Sequence, residues 1–228
     1  MARPPTVTID DVLAQLSPGT PVAAADLIAR LAVGRTTLSR LMADAGDRVV
    51  RLGRGRATYY IARQTTVAGT QWPLFRMGPD ATLEDLGVLV ALSGDTFHMQ
   101  ATAPRPNLQQ PPEGGIPGFF PGLPWYLDDL RPQGFLGRTF AHRRGREFGV
   151  PEDLNAWQLG HVLQAVVRAG GTEAGDLLIG GEAVRAALAA LDAPADSVHS
   201  DVRLQRYPER AAAALEGEDV GSSPGGEQ

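Results

Sequence analysis

The chain has 228 residues, of which 43% are hydrophobic and 21% charged, with a net charge of −5. It is long enough for one large or two small domains at about 100–200 residues each, and its balance is that of an ordinary globular protein rather than a disordered one. The absence of cysteine excludes disulfides, thiolate metal sites and cysteine nucleophiles, and all 21 basic residues are arginine, which removes lysine chemistry.

No run approaches the roughly 18 consecutive apolar residues of a membrane helix. The opening "MARPPTVTIDDVLAQL" lacks the apolar core of a secretory signal, so a cytoplasmic protein with no membrane partner is expected. Charge is unevenly spread. Residues 1–65 hold nine Arg against five Asp, a net of +4, which leaves −9 for residues 66–228. Between Arg30 and Arg63, eight arginines face only Asp44 and Asp47. A small basic module on an acidic body is a footprint of nucleic-acid binding.

Thr8 opens "TIDDVLAQL", where Val12, Leu13 and Leu16 fall at helical spacing and two aspartates sit in the first turn, favoured there by the helix dipole. "PVAAADLIARL" predicts a second helix, with a proline suited to its start and Ala24, Leu27, Ile28 and Leu31 on one stripe. After a break at "AVG", "RTTLSRLMADAG" predicts a third, whose Leu38, Leu41, Met42 and Ala45 share a face. At about 100° per residue, Thr36, Arg40 and Ala43 lie opposite that stripe, with Thr37 and Asp44 at its shoulder. "DRVVRLG" and "RATYYIA" then read as a β-hairpin whose Gly-rich tip carries Arg54 and Arg56. Three helices and a basic hairpin predict a winged helix over residues 1–64. Arg35, Thr36, Thr37, Arg40, Arg54 and Arg56 are its candidate contacts to double-stranded DNA, since arginine grips guanine edges or phosphates and threonine reaches either. "ARLAVGRTTLSRLM" resembles the helix-turn-helix of bacterial regulators.

Residues 65–71 lack periodicity and read as a linker, leaving 72–228 as the acidic body. "WPLFRM", "TLEDLGVLVAL" and "DTFHMQAT" predict strands, the last two about a turn at Gly94, and "APRPNLQQPPEGGIPG" at 103–118 predicts a loop. Helices are expected at 124–131, 134–147 and 155–168, then a short strand in "GDLLIGG" and helices in "AVRAALAAL" and "YPERAAAALEG". Trp72, Phe75, Trp125, Tyr126 and Trp157 are expected in the core. Asp128 and Asp129 read as a solvated helix end. "AHRRGR", at 141–146, is a second basic stretch, read either as helix-end charge that complements the dipole or as a contact to nucleic acid or a partner's phosphate. Asp196, His199 and Asp201 form too sparse a set for a metal site, so no metal is expected.

"FPGLPWYLDDLRPQGFLGR", "GDLLIG", "YPERAAAALEG" and "GSSPGGEQ", in that order and spacing, resemble the N-terminal half of HipA-like serine/threonine kinases, the toxins of bacterial toxin–antitoxin systems, in the YjjJ-type branch that carries its own N-terminal winged helix. The resemblance implies an α+β protein: a winged helix followed by a HipA-type N-terminal subdomain of mixed strands and helices. It implies that Ser222, Ser223, Gly225, Gly226, Glu227 and Gln228 are the start of a Gly-rich loop over the ATP phosphates, and that Ser222 or Ser223 is a site of autophosphorylation. Phosphoryl transfer also needs a lysine on the phosphates, a catalytic aspartate and magnesium ligands. This chain holds no lysine, and neither Asn107 nor Asn155 lies in an Asp-x-x-x-x-Asn arrangement. No catalytic residue is therefore assigned. No cofactor is expected for this chain alone, and ATP and Mg are implied only for a complete kinase. The expected function is the DNA-binding, regulatory half of such a kinase, with a kinase core as partner in cis or in trans, and a homodimer is compatible with it. The alternative is a stand-alone transcriptional regulator or antitoxin that binds a separately encoded kinase.

Overall fold

In the computed structural model, residues 7–110, 115–169 and 176–192 are described, together with Pro208 and Ala212. In chain order the elements are α1 (Ile9–Ala14), β1 (Val22–Ala23), α2 (Ala24–Leu31), α3 (Arg35–Ala45), β2 (Val49–Arg54), β3 (Ala57–Ala62), β4 (Gln71–Met77), β5 (Leu83–Leu92), β6 (Thr96–Ala101), α4 (Pro106–Gln109), β7 (Phe119–Pro121), α5 (Gly134–Phe148), α6 (Leu159–Ala169), β8 (Leu177–Ile179) and α7 (Gly180–Asp192). Short 3-10 turns occupy Gly46–Arg48, Trp125–Leu130 and Leu154–Ala156. The chain is thus mixed α+β. It divides into two compact units, one of residues 1–71 with 87–126, the other of 72–86 with 127–228.

In the first unit, α1 is started by Thr8, whose hydroxyl accepts from the Asp11 N–H while the Asp11 carboxylate accepts from the Thr8 N–H at 2.7 Å. That hydrogen bond holds the Asp11 carboxyl below its ordinary range. The second helix begins at Ala24, three residues later than Pro21 predicts, because Val22 and Ala23 are drawn into antiparallel pairing with Tyr60 and Tyr59. It ends in a left-handed residue, Ala32, and the Val33 N–H closes back onto the Ile28 carbonyl at 3.2 Å. Three residues, 32–34, then separate α2 from α3.

Strands β2 and β3 pair antiparallel from Val49↔Ala62 to Arg54↔Ala57, and with β1 they form a sheet in the order β1-β3-β2. The turn is the two residues Gly55 and Arg56. Gly55 has φ +60° and the Thr58 hydroxyl donates to its carbonyl at 2.9 Å, so glycine supplies the positive φ needed at the first position of a tight hairpin turn.

The two faces of this hairpin are covered by different parts of the unit. Val49, Tyr60 and Ala62 pack on the helical core of Leu16, Val22, Leu27 and Leu38. On the opposite face, Val50, Leu52 and Ile61 form one buried cluster with Val90 and Leu92 of β5, closed by Tyr59, Val88, Ile116 and Phe119. At about 1.5–3 kcal/mol per fully buried aliphatic side chain, those five residues contribute on the order of 10 kcal/mol before conformational entropy is deducted. Backbone bonds join the same parts: Ser93 N–H to the Ala62 carbonyl at 2.9 Å, Gln64 N–H to Ala91 at 3.1 Å and Gly19 N–H to Ser93 at 2.8 Å.

Strand β5 pairs with β6 from Gly87↔Ala101 to Leu92↔Thr96, and β6 pairs with β7 from Thr96↔Pro121 to His98↔Phe119. Strand β7 was not anticipated, because "FFP" is too short for a periodic signal and ends in proline. The expected loop at 103–118 contains one helical turn, α4, started by Pro106.

In the second unit β8 pairs with β4 from Leu74↔Ile179 to Arg76↔Leu177. Helix α7 packs Ala183 and Ala187 against Leu178, Phe75 and Met77. Arg76 ties this region together, with its Nε at 3.0 Å from Asp176 and an Nη at 3.9 Å from Glu84. The helix expected at 155–168 starts at Leu159, after the 3-10 turn capped by Asp153. Phe140, Phe148 and Trp157 pack together with Val150, and the Trp157 indole N–H donates to the Pro151 carbonyl at 2.7 Å. Of the aromatic residues expected in the core, Trp72 and Tyr126 are buried, whereas Trp125 is 51% exposed. Its ring meets Tyr126 edge-on at 5.6 Å.

Two outcomes test this packing. Gly94 has φ +75°, and a Cβ there would lie 2.3 Å from the Gly19 nitrogen, so Gly94→Ala is expected to cost about 2 kcal/mol or more in chemical denaturation; an unchanged midpoint would refute the close approach. His98 is held neutral by burial, which lowers its pKa to about 4 from 6.5. Because the folded pKa lies below the unfolded one, its contribution is complete above pH 6.5 and is lost as pH falls toward 4. Between those limits the wild type should lose up to roughly 3 kcal/mol more stability than His98→Gln; parallel pH–stability curves would contradict this.

Candidate nucleic-acid interface

Helix α3 is amphipathic. Leu38 and Ala45 are buried, Met42 is half-buried against the helical core, Leu41 is half-buried, and Arg35, Thr36, Arg40, Ala43 and Asp44 are exposed, with Thr37 half-buried between the two faces. The outward side is therefore short, polar and carries two guanidinium groups. Gly34 precedes it, so no side chain caps its first turn.

Arg54 and Arg56 are exposed at the hairpin tip, Arg54 closing β2 opposite Ala57 and Arg56 within the turn itself. Gly53, just before the tip, has φ +71°, and a Cβ there would meet the Ala57 carbonyl oxygen. Only glycine lets the two strands close behind the arginines. Arg51 lies nearer the base, its guanidinium 3.5 Å from the Thr58 hydroxyl.

The arginines of this region fall into two classes. Arg48 binds Asp10 at 3.2 Å and Arg63 lies 3.9 Å from Asp47, so both belong to the scaffold. Arg30, Arg35, Arg40, Arg54 and Arg56 have no ion pair with any described carboxylate. Guanidinium groups left exposed in this way are available to an anionic partner such as a phosphate backbone.

The second basic stretch is used differently. Arg144 donates two hydrogen bonds of 3.1 Å to Glu147 and stacks over Phe148 at 4.5 Å from the ring centroid, and those hydrogen bonds, helped by its charge, keep the Glu147 carboxyl below the ordinary range. Arg146 binds Glu152 at 3.1 Å, and His142 lies 3.8 Å from the same carboxylate. Arg146 and His142 thus hold the end of α5 to the segment that follows it, while Arg144 pairs within the helix, uses beyond the helix-end charge read from sequence.

Among the described residues no cluster of three or more His, Asp or Glu side chains could hold a metal, and no helix is long and apolar enough to cross a membrane. The loop residues Ser222, Ser223, Gly225, Gly226, Glu227 and Gln228 lie outside the described residues, as do Asp196, His199 and Asp201. So does most of "YPERAAAALEG". Asp128 and Asp129 fall in the 3-10 turn Trp125–Leu130.

No solved structure matches the chain. It is 35% identical over 208 residues to Toxin YjjJ of Escherichia coli (strain K12), an alignment that takes in 91% of this chain and 44% of that protein. The chain thus spans less than half the length of that curated relative. Residues 68–188, more than half of the chain, match the family described as YjjJ-like toxin, middle domain, and the chain belongs to the YjjJ-like toxin family.

Proposed function

We propose that these residues are the DNA-binding and regulatory N-terminal half of a HipA-like serine/threonine kinase of a toxin–antitoxin system, with the catalytic lobe supplied by residues outside them. The observation that supports the reading is the set of arginines on α3 and at the tip of β2–β3 that meet no described carboxylate, in a segment of three helices followed by a β-hairpin. In this reading the first 64 residues act as a winged helix. Helix α3 enters the major groove, with Arg40 and Arg35 on base edges or phosphates and Thr36 and Thr37 beside them, and Arg54 and Arg56 grip the backbone from the hairpin.

Membership of a toxin family supports the toxin–antitoxin context. The kinase assignment is supported by the resemblance of the Leu123–Arg138 block and of Ser222–Gln228. The chemistry divides accordingly: this chain contributes a phosphate-covering loop and a docking body, while the lysine, the catalytic aspartate and the magnesium ligands of phosphoryl transfer come from the kinase core.

Arg40→Ala is expected to weaken specific DNA binding by about 1–3 kcal/mol if Arg40 reads a base edge. The measurement is a mobility-shift titration against the operator at fixed salt, and full retention of affinity would reject the assignment of α3. The purified chain with ATP and Mg should show no phosphate on Ser222 or Ser223 by mass spectrometry; phosphorylation in the absence of a kinase core would show that catalysis resides in these residues.

A further inference from the structure

We infer that the β5–β6 hairpin is the positioning element of the β2–β3 hairpin, so that contact of Arg54 and Arg56 with DNA is set by middle-domain residues that touch no DNA. The inference rests on the DNA-binding reading above and adds how that surface is controlled.

A two-stranded hairpin is marginal in water, and the two-residue strand β1 pairs with β3 only at Tyr59 and Tyr60, so the hairpin takes its pose largely from what covers its faces. Here the helices cover only the base of one face, through Val49, Tyr60 and Ala62. The other face, through Val50, Leu52 and Ile61, lies on Val90 and Leu92, with Val88, Ile116 and Phe119 at its edges. Leu52 is fully buried although it stands only two residues from Arg54. The apolar support therefore reaches nearly to the tip.

Two further constraints fix the angle of the hairpin. An antiparallel bridge, Arg63↔Leu92, flanked by the Ala62–Ser93 and Gln64–Ala91 backbone bonds, anchors the end of β3 to the end of β5. The turn at Gly94 also abuts Gly19, and the Gly19 N–H is bonded to the Ser93 carbonyl. Val90, Leu92, Ser93 and Gly94 all lie within the residues 68–188 that match the middle domain, whereas the hairpin they support lies outside that match. A change in the β5–β6 region is thereby passed to the DNA-contacting arginines through a packed layer rather than a flexible tether.

The test uses the whole chain with Val90→Ala, and Ile116→Ala as a milder truncation at the edge of the same cluster should Val90→Ala not fold. Hydrogen exchange should become at least about tenfold faster across residues 49–62 while α5 and α6 keep their protection. DNA binding should weaken about three- to tenfold, and the slope of log K against log salt should fall by about 1.8, the equivalent of two phosphate contacts. The loss should vanish in an Arg54→Ala/Arg56→Ala background and remain additive with Arg40→Ala. Unchanged exchange in the hairpin, or an equal loss of affinity without the tip arginines, overturns the inference while leaving DNA binding intact. No DNA binding by the wild type would instead remove the DNA reading itself, and this inference with it.

Discussion

The burial of both faces of one β-hairpin organises the first compact unit. In β2 and β3 alternate side chains point to opposite sides, so Val50, Leu52 and Ile61 require a second apolar layer once Val49, Tyr60 and Ala62 have been taken by the helices. Val90 and Leu92 provide that layer. Residues distant in sequence are thus held as one unit, in which 1–71 and 87–126 fall together.

The charged residues follow the same economy. Arg48, Arg63, Arg76 and Arg146 meet carboxylates of neighbouring segments and Arg144 meets one within α5, whereas Arg35, Arg40, Arg54 and Arg56 stand clear of the described carboxylates. A count of basic residues does not distinguish these uses. Exposed pairs contribute little to stability.

Local elements with strong periodicity were legible in the sequence. The helix at Arg35–Ala45 showed its Leu38–Ala45 stripe, and the hairpin showed β-prone runs joined through glycines. The strands β4, β5, β6 and β8 were likewise signalled by their apolar runs. Elements that exist only through their partners escaped. Val22 and Ala23 form a strand because β3 lies beside them, and Phe119–Pro121 because β6 does. The exposed face of α3 could be read from its helical projection, but the pairing of Arg146 could not, since Glu152 becomes its partner only when the end of α5 and the next turn are folded. The apolar residues beneath the hairpin were equally invisible, because alternation along a strand says that a face is buried and not what buries it.

The contact between Gly19 and Gly94 brings two turns together backbone to backbone, with no side chain between them to absorb a change. Loop lengths at these two places are consequently not independent. A relative that inserts a residue near Gly19 must shift or shorten the turn at Gly94, so drift in one loop is recorded in the other.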